Sequence, residues 1–166
     1  QEANRLVAEH WRVDEGVLVF DGQKVAGRSL SLSTDRDYGD FELRVDWKIG
    51  PKGDSGVYLR GTPQVQIWDP ADRGIGSGGL FNNKIHPANP TTIADRPIGD
   101  WNTFRITIRG ESVTVELNGV KVVNQVVLEN YYERNRSLPT RGPIYLQDHG
   151  NPLYFKNIFL RELAAP

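Results

Sequence analysis

Strict alternation of apolar and polar residues constrains the fold of this chain more than any other feature. From Phe41 to Ile49 the odd-numbered residues are apolar and the even-numbered ones are mostly charged. A period of two is typical of a β-strand that buries one face. The same pattern recurs between residues 102 and 124, where Gly110-Glu111 and Asn118-Gly119 supply two tight turns. We therefore predict a three-strand meander over this segment.

Further short strands are predicted at Val17 to Phe20, Ser29 to Thr34 and Pro152 to Leu163. The last of these changes its buried face near Asn157, which predicts a β-bulge. No segment has a convincing helical period, and Val127 to Arg136 could hold a turn or a short helix. Many short strands separated by Gly, Pro and Asn turns predict an all-β sandwich of two antiparallel sheets.

The bulk composition limits the class of protein. A length of 166 residues suits one domain, which we expect to span residues 1–166. The net charge of −1 gives no basic surface for nucleic acid, and no apolar run is long enough to predict a transmembrane helix. Cysteine is absent, which excludes disulfides and thiolate metal sites.

Two predicted strands carry an unusual polar face. Around Tyr58 to Trp68, and again from Ile144 to His149, apolar residues alternate with aromatic and hydrogen-bonding residues instead of Lys, Glu and Thr. Flat aromatic rings cover the C–H faces of sugars, and planar amides bond sugar hydroxyls. This face therefore predicts a carbohydrate ligand. The candidate substrate-binding residues on these strands are Tyr58, Arg60, Gln64, Trp68, Tyr145 and Gln147.

Two long irregular segments, 70–100 and 128–142, interrupt the strands. Long ordered loops in a compact domain are commonly functional, so we predict that both form walls of a site on the aromatic face. Asn82 and His86 in the first segment are further candidate substrate-binding residues. His86 could also bind a metal ion or be an ordinary solvated histidine, because no His-x-His or His-x-x-x-His spacing accompanies it.

Each candidate cluster also has a purely structural interpretation. The polar face around Gln66 and Trp68 could bind the backbone of a covering loop instead of a sugar. His149 could be a structural histidine in a turn, although it shares a face with Tyr145 and Gln147. Turn chemistry alone explains Asp54 in Gly53-Asp54-Ser55-Gly56.

Several catalytic motifs are missing from the sequence. It contains no Gly-x-Ser-x-Gly elbow, no P-loop and no dinucleotide fingerprint. The Glu-x-Asp-x-Glu strand pattern of sandwich-fold retaining glycanases is also absent. The sequence therefore shows no standard pair of glycosidase carboxylates. It does not exclude a pair formed by one residue from each sheet.

A series of short motifs along nearly the whole chain resembles the 3-keto-disaccharide hydrolase family, which is common in secreted bacterial proteins. The resemblance implies a concanavalin-like jelly-roll β-sandwich. Family members often carry Glu where this chain has Gln64, and Asn where it has Asp54. The motifs are 38–43 (YGDFEL), 54–61 (DSGVYLRG), 65–69 (VQIWD), 78–80 (GGL), 99–105 (GDWNTFR), 117–119 (LNG), 146–150 (LQDHG) and 155–158 (FKNI).

The resemblance implies cleavage of 3-keto-glycosides by base-assisted elimination. A ketone at C3 makes the C2 proton acidic, and loss of that proton expels the group on C1. This chemistry needs one base and a stabiliser of the enolate oxygen. We expect His149 to be the base, with Asp69 as a second acid or base. Gln66, Gln147, Arg60 or a divalent metal ion would stabilise the oxygen.

Two other functions stay open from the sequence. One is a non-catalytic carbohydrate-binding module of a larger glycan-degrading protein, and the other is a protein-interaction domain attached to an enzyme. The chain begins at Gln1 and contains no methionine. We therefore expect either a secreted or periplasmic protein whose signal peptide has been removed, or a piece of a larger protein. The sequence makes no prediction of the oligomeric state.

Overall fold

The alternating residues form two antiparallel β-sheets in the computed structural model, which describes the backbone of residues 2–164 and the side chains of residues 5–164. The elements are α1 (Glu2–His10), β1 (Trp11–Asp14), β2 (Val17–Phe20), β3 (Leu32–Ser33), β4 (Phe41–Ile49), β5 (Asp54–Leu59), β6 (Thr62–Trp68), α2 (Pro70–Arg73), β7 (Asn102–Arg109), β8 (Ser112–Leu117), β9 (Val120–Val127), β10 (Tyr145–Leu146) and β11 (Leu153–Glu162). The larger sheet has the order β1-β2-β11-β4-β7-β8-β9, and the smaller sheet has the order β3-β10-β5-β6.

The core lies between the two sheets and consists of the predicted apolar faces. The apolar residues of β4 are at most 3% exposed, and those facing them from β5 and β6 are fully buried. Burial of each such side chain contributes about 1.5–3 kcal/mol, so the core fixes which face of each strand points outward. The fully buried residues of the smaller sheet are Val57, Leu59, Val65 and Ile67.

The predicted hairpin and bulge are both confirmed. Asn118 and Gly119 have φ angles of 53° and 84°, and they join β8 to β9 through the Leu117–Val120 pair. Two positive φ angles match the twist of a tight hairpin, which is why Asn-Gly suits this turn. The pairing of β11 with β4 shifts register between Lys156 and Phe159, at the change of buried face.

The helical elements differ from the predictions. The sequence does not predict α1, because its nine residues are too few to establish a helical period. Leu6 and Val7 of α1 pack against the core beside strand β1, which is also not predicted. The segment after Val127 forms turns, which is one of its two predicted alternatives, with Arg136 N donating to Glu133 O. No described helix is long and apolar enough to cross a membrane.

The free edge of strand β6 is covered by the first long loop. Gln66 N donates to Gly79 O at 2.9 Å, and Gly78 N donates to Gln66 O at 2.8 Å. Val65 and Leu80 form an isolated β-bridge just beyond this pair. The covering stretch, residues 76–80, therefore satisfies backbone groups that an edge strand would otherwise expose.

The side chain of Arg60 joins the segment before β4 and the turn after β7 to Pro139 O of the second long loop, contrary to the expectation that it lies on the aromatic face. A register shift follows Val57, and Arg60 has a φ of 52°, so its side chain leaves that face. The guanidinium is 2% exposed and donates to Gly39 O at 2.8 Å, to Gly110 O at 2.7 Å and to Asp40 Oδ1 at 2.5 Å. We therefore assign Arg60 no role in ligand binding.

Replacement of Arg60 by Leu is expected to lower the free energy of unfolding by about 3–5 kcal/mol. The change leaves the Asp40 carboxylate and three carbonyl groups without their buried cation. Urea denaturation of the parent and the variant measures the difference. Arg44→Leu is the matched control, because Arg44 is exposed on the larger sheet and its loss should change stability by less than about 0.5 kcal/mol. Equal losses for both variants would contradict the anchoring role.

Candidate functional site

A polar cleft of about 360 Å³ lies on the face of the smaller sheet that points away from the larger sheet. Strands β5 and β6 form its floor, because the side chains that alternate with the buried valines and leucines point into it. Both long loops contribute walls, as the sequence predicts. The residues that line this cleft are Asp54, Tyr58, Pro63, Gln64, Gln66, Trp68, Arg73, Phe81, Asn82, Tyr131, Tyr132, Gln147 and His149.

Gln66 is the centre of a buried hydrogen-bond network on the floor. Its side chain donates to Asp54 Oδ1 at 2.8 Å and to Ser55 O at 2.9 Å, and it accepts from the amide of Gln64. Gln64 and Gln66 are 4% and 2% exposed, so both amides are held by packing as well. Gly56 makes room for them, because a Cβ there would lie 2.8 Å from Gln64 Cδ. The floor is therefore preorganised.

Asp54 links this network to two titratable groups. Its Oδ2 atom accepts from Arg73 Nη2 at 3.3 Å and lies 3.9 Å from His149 Nδ1. The His149 side chain is 53% exposed, whereas that of Asp54 is 14% exposed. The carboxylate is therefore held by its hydrogen bonds, whereas the imidazole is half-exposed at a separation slightly beyond hydrogen-bond length. Asp54 is the only carboxylate among the described residues that line the cleft.

Tyr58 supplies a neutral phenol at the opposite side of the cleft. Gln147 Nε2 donates to Tyr58 Oη at 3.3 Å, and the Tyr145 ring packs edge-on against the Tyr58 ring with 5.7 Å between centroids. Tyr145 lies outside the cleft lining and packs against the Tyr58 ring from behind it. Burial, together with the neighbouring Tyr132 and Tyr131, raises the pKa of Tyr58 to about 12. The Tyr58 hydroxyl is therefore a hydrogen-bond donor at neutral pH.

Aromatic rings form the upper parts of the cleft. Trp68 and Phe81 are in edge-on contact at 5.4 Å, and the Arg73 guanidinium lies 5.7 Å from the centre of the Trp68 ring. Tyr131 and Tyr132 make a similar pair at 5.1 Å. Phe81 and Tyr132 are 51% and 66% exposed, so apolar ring surface remains open to a ligand. Rings that rise above a floor of amides match the predicted sugar-binding face.

Two further candidate residues lie outside the cleft lining. Asp69 caps α2, accepting from Ala71 N and from Lys52 N at 2.9 Å each, and it is 6% exposed. Each of its oxygens accepts one of these N–H groups, so the carboxylate is held at the start of α2. His86 Nδ1 lies 3.3 Å from Glu129 Oε1. These placements remove Asp69 and His86 from the set that can contact a ligand in the cleft.

Glu129 holds the His86 segment by its backbone. Burial alone would raise the pKa of Glu129, but the N–H groups of His86, Lys84 and Ile85 outweigh it and lower the pKa to about 2. The carboxylate is therefore ionised throughout the working pH range and anchors the loop that carries Phe81. Across the described residues there is no group of three or more His, Cys, Asp or Glu that could hold a metal ion.

The sequence does not predict Asp54 and Arg73 as members of the site. Turn chemistry accounts for Asp54, yet this residue shares the parity of Tyr58 and begins the same strand, β5. Extending the alternation back by four residues places it on the cleft face. Arg73 lies in the four-residue helix α2, and no periodicity in the first long loop predicts its direction.

A known protein family matches nearly the whole chain. The sequence model of the 3-keto-alpha-glucoside-1,2-lyase-like domain matches residues 2–161, which confirms the family resemblance. A 3-keto-disaccharide hydrolase of Bacteroides thetaiotaomicron is 21% identical over an alignment that covers 95% of this chain and 71% of that protein.

Solved structures show the same fold. Two proteins of Parabacteroides distasonis, both provisionally described as glycosyl hydrolases, are each 26% identical to this chain, with TM-scores of 0.75 and 0.73. Their alignments cover 93% and 92% of this chain and 91% and 74% of theirs, respectively. The carbohydrate-binding module CBM66 of Bacillus subtilis has a TM-score of 0.58 at 11% identity, over 92% of this chain and 91% of that one, a likeness of fold alone.

Tyr58 is expected to ionise about two pH units above an ordinary tyrosine. Because the folded protein keeps this proton between pH 10 and 12 while the unfolded chain loses it, stability should fall as the pH rises through that range. Ultraviolet difference absorbance of tyrosinate, recorded during alkaline titration, measures the ionisation. The Tyr58→Phe variant should lack the component near pH 12 and keep the rest. A parent titration without that late component would contradict the environment described for Tyr58.

Proposed function

Because the chain belongs to the 3-keto-alpha-glucoside-1,2-lyase-like domain family, we propose that it cleaves the glycosidic bond of sugars oxidised at C3. One observation carries the proposal: a half-exposed imidazole, His149, lies beside a hydrogen-bonded carboxylate, Asp54, in a cleft whose other polar groups are mainly neutral donors. A binding surface for sugars needs rings and amides, whereas a proton-transfer pair serves chemistry.

The reaction is an elimination followed by addition of water. A base takes the proton from C2, and the C–H electron pair forms an enolate with the C3 ketone. The enolate then collapses to a C1–C2 double bond, and the C1–O bond breaks with its electrons on the departing oxygen, which takes up a proton. Water next adds its hydroxyl to C1 and a proton to C2, releasing a 3-keto sugar.

His149 is the proposed base. Its Nδ1 atom faces Asp54 Oδ2, which leaves Nε2 as the nitrogen that can reach a ligand. After proton transfer the imidazolium would be stabilised by the Asp54 carboxylate, and the 3.9 Å separation would shorten as the charge develops. Asp54 is thus a positioning residue in this mechanism.

The enolate oxygen requires hydrogen-bond donors that are not already engaged. The Gln66 amide is fully occupied by Asp54 and backbone carbonyls, so it holds the floor and does not stabilise the oxygen. Donor groups with N–H or O–H hydrogens outside those bonds also line the cleft, and they belong to Tyr58, Gln64, Arg73, Asn82, Tyr131, Tyr132 and Gln147. Donors that are fixed before the reaction stabilise developing charge without reorganisation.

The lack of a second carboxylate among the described lining residues supports elimination over ordinary glycoside hydrolysis. Retaining and inverting glycosidases use two carboxyl groups on opposite sides of the bond. Asp54 alone cannot fill both roles, and Gln64 carries an amide where related proteins often have Glu. Elimination from a 3-keto sugar needs only one base, which matches what the cleft offers.

Replacement of His149 by Ala is expected to reduce kcat on a 3-keto-glucoside by about 10²–10⁴-fold, because the base is lost. Release of the aglycone, followed with and without a chelator, measures the activity. His10→Ala is the control, since His10 bonds Asp21 away from the cleft and its loss should leave kcat unchanged. Parent-like activity of the His149 variant would refute this assignment. Saturable sugar binding by a parent protein that cleaves neither 3-keto nor plain glucosides would instead identify a binding module.

The Asp54→Asn change tests the positioning role separately. It keeps the hydrogen bond from Gln66 but removes the charge that stabilises the imidazolium, so kcat should fall by about tenfold or more with little change in KM. The kinetic constants of parent and variant on a 3-keto-glucoside measure the effect. A parent-like kcat for Asp54→Asn would argue against the positioning role.

A further inference from the structure

The outer face of the larger sheet, on the opposite side of the sandwich from the cleft, carries two lysines beside two aromatic residues. Lys48 of β4 lies opposite Tyr154 of β11 in the strand register, and Lys156 follows two residues along β11. The residues that flank Lys48 and Tyr154 are buried in the core, so alternation directs these side chains outward. Trp101, just before β7, completes the group. We call these four partly exposed residues the outer cluster.

The aromatic rings of the outer cluster position both ammonium groups. Lys156 Nζ lies 4.1 Å from the centre of the Trp101 ring, and Lys48 Nζ lies 5.1 Å from the centre of that ring and 4.6 Å from that of the Tyr154 ring. Each distance is within the range of about 6 Å over which an aromatic face attracts a cation. Because the rings are neutral, they position two positive charges without neutralising them. The two charges repel each other, and an anion bound to both would relieve that repulsion.

The two lysines lack the acidic partners that other cations on this face have. Farther along the larger sheet, Arg105 and Arg161 are both paired with Glu42. Among the described residues, no carboxylate forms an ion pair with Lys48 or Lys156. The outer cluster is therefore a basic surface on a chain whose net charge is −1.

The carboxylate that lies opposite Lys156 in the strand register is bound to other groups. Asp46 Oδ1 accepts from Thr103 Oγ1 and Asp46 Oδ2 accepts from Asn157 Nδ2, both at 2.7 Å. Asp46 is 7% exposed, so a ligand at the surface would meet the ammonium groups instead of this carboxylate. One buried carboxylate beside two ammonium groups leaves an excess of positive charge.

Neutral hydrogen-bonding groups adjoin these charges. The indole N–H of Trp101 and the hydroxyl of Tyr154 bond no other residue in the described part of the chain. An indole N–H donates a hydrogen bond, and a phenol hydroxyl both donates and accepts. A sugar acid offers hydroxyls to such groups as well as an anion to the lysines. Nucleic-acid surfaces commonly neutralise about 6–10 phosphates, and two lysines are too few for that.

We propose that the outer cluster binds an acidic polysaccharide. Lys48 and Lys156 would bind a carboxylate or sulfate group of the polymer, and Trp101 and Tyr154 would bond neighbouring sugar hydroxyls. Both sheets, which pack about 10 Å apart, separate the outer cluster from the cleft. A polymer on the outer cluster therefore leaves the cleft open to a different ligand. This role is independent of the cleavage proposed above.

Binding to defined polymers tests this proposal. Biolayer interferometry at low ionic strength would compare polygalacturonate, dextran sulfate, neutral dextran and single-stranded DNA. The parent protein should bind polygalacturonate or dextran sulfate, which distinguishes carboxylate from sulfate as the recognised group, and binding should weaken as salt is added. The double variant Lys48→Gln/Lys156→Gln should raise that Kd by about tenfold. Any binding to neutral dextran should not depend on these lysines.

Lys24→Gln/Lys121→Gln is the matched control, because it removes two exposed lysines outside the outer cluster and should leave the Kd unchanged. Binding to neither acidic polymer, or equal weakening by the two double variants, would overturn the proposal. So would single-stranded DNA that binds as tightly as the acidic polymer and depends equally on the outer cluster.

Activity on a 3-keto-glucoside separates this proposal from the proposed function. The double variant of the outer cluster should keep the kcat of the parent, because its lysines lie on the opposite side of the sandwich from the cleft. A parent protein that binds the acidic polymer through these lysines but cleaves no 3-keto sugar would overturn the proposed function alone. A parent protein that cleaves the sugar but binds neither acidic polymer would overturn the role of the outer cluster alone.

Discussion

The pairing of β5 with β6 is the constraint on which the rest of the site depends. Val57 lies opposite Val65 in this register, and both are fully buried against the larger sheet. Because side chains alternate between faces, a slip of one residue would turn Gln66 into the core and the valines into the cleft. The hydrophobic core therefore holds the polar floor in place, although no core residue touches a ligand. Burial of the valines therefore both stabilises the fold and sets the geometry of the site.

The polar floor shows how a binding surface can be rigid without being apolar. Gln66 satisfies Asp54 and its own neighbours, and Gly56 provides the space that the paired amides occupy. Buried networks of this kind are stable only when their members are satisfied, and Gln66 meets that condition. Gln147 does not, because one of its amide atoms has no partner among the described residues. The contrast separates an amide whose hydrogen bonds are complete from one that keeps an unused acceptor.

Much of the fold could be predicted from the sequence, because burial of one strand face imposes a period of two on every long strand. The site was predictable as far as that period extends, as Gln66 and Trp68 show. The prediction for Arg60 is wrong because a register shift after Val57 breaks the alternation. The prediction for Asp69 is wrong because a strand end next to a helix gives its carboxylate a capping role. Contacts across long loops, such as the one between Arg73 and the start of β5, leave no periodic trace in a sequence.

The bonds between residues 76–80 and strand β6 affect association between molecules as well as the site. The same segment that begins the cleft wall also blocks the exposed edge of the smaller sheet, through Gly78, Gly79 and the Leu80 bridge. Exposed sheet edges are templates for strand addition between molecules. A change in this loop that reshapes the cleft wall would therefore also risk uncovering the edge of β6 and allowing molecules to associate.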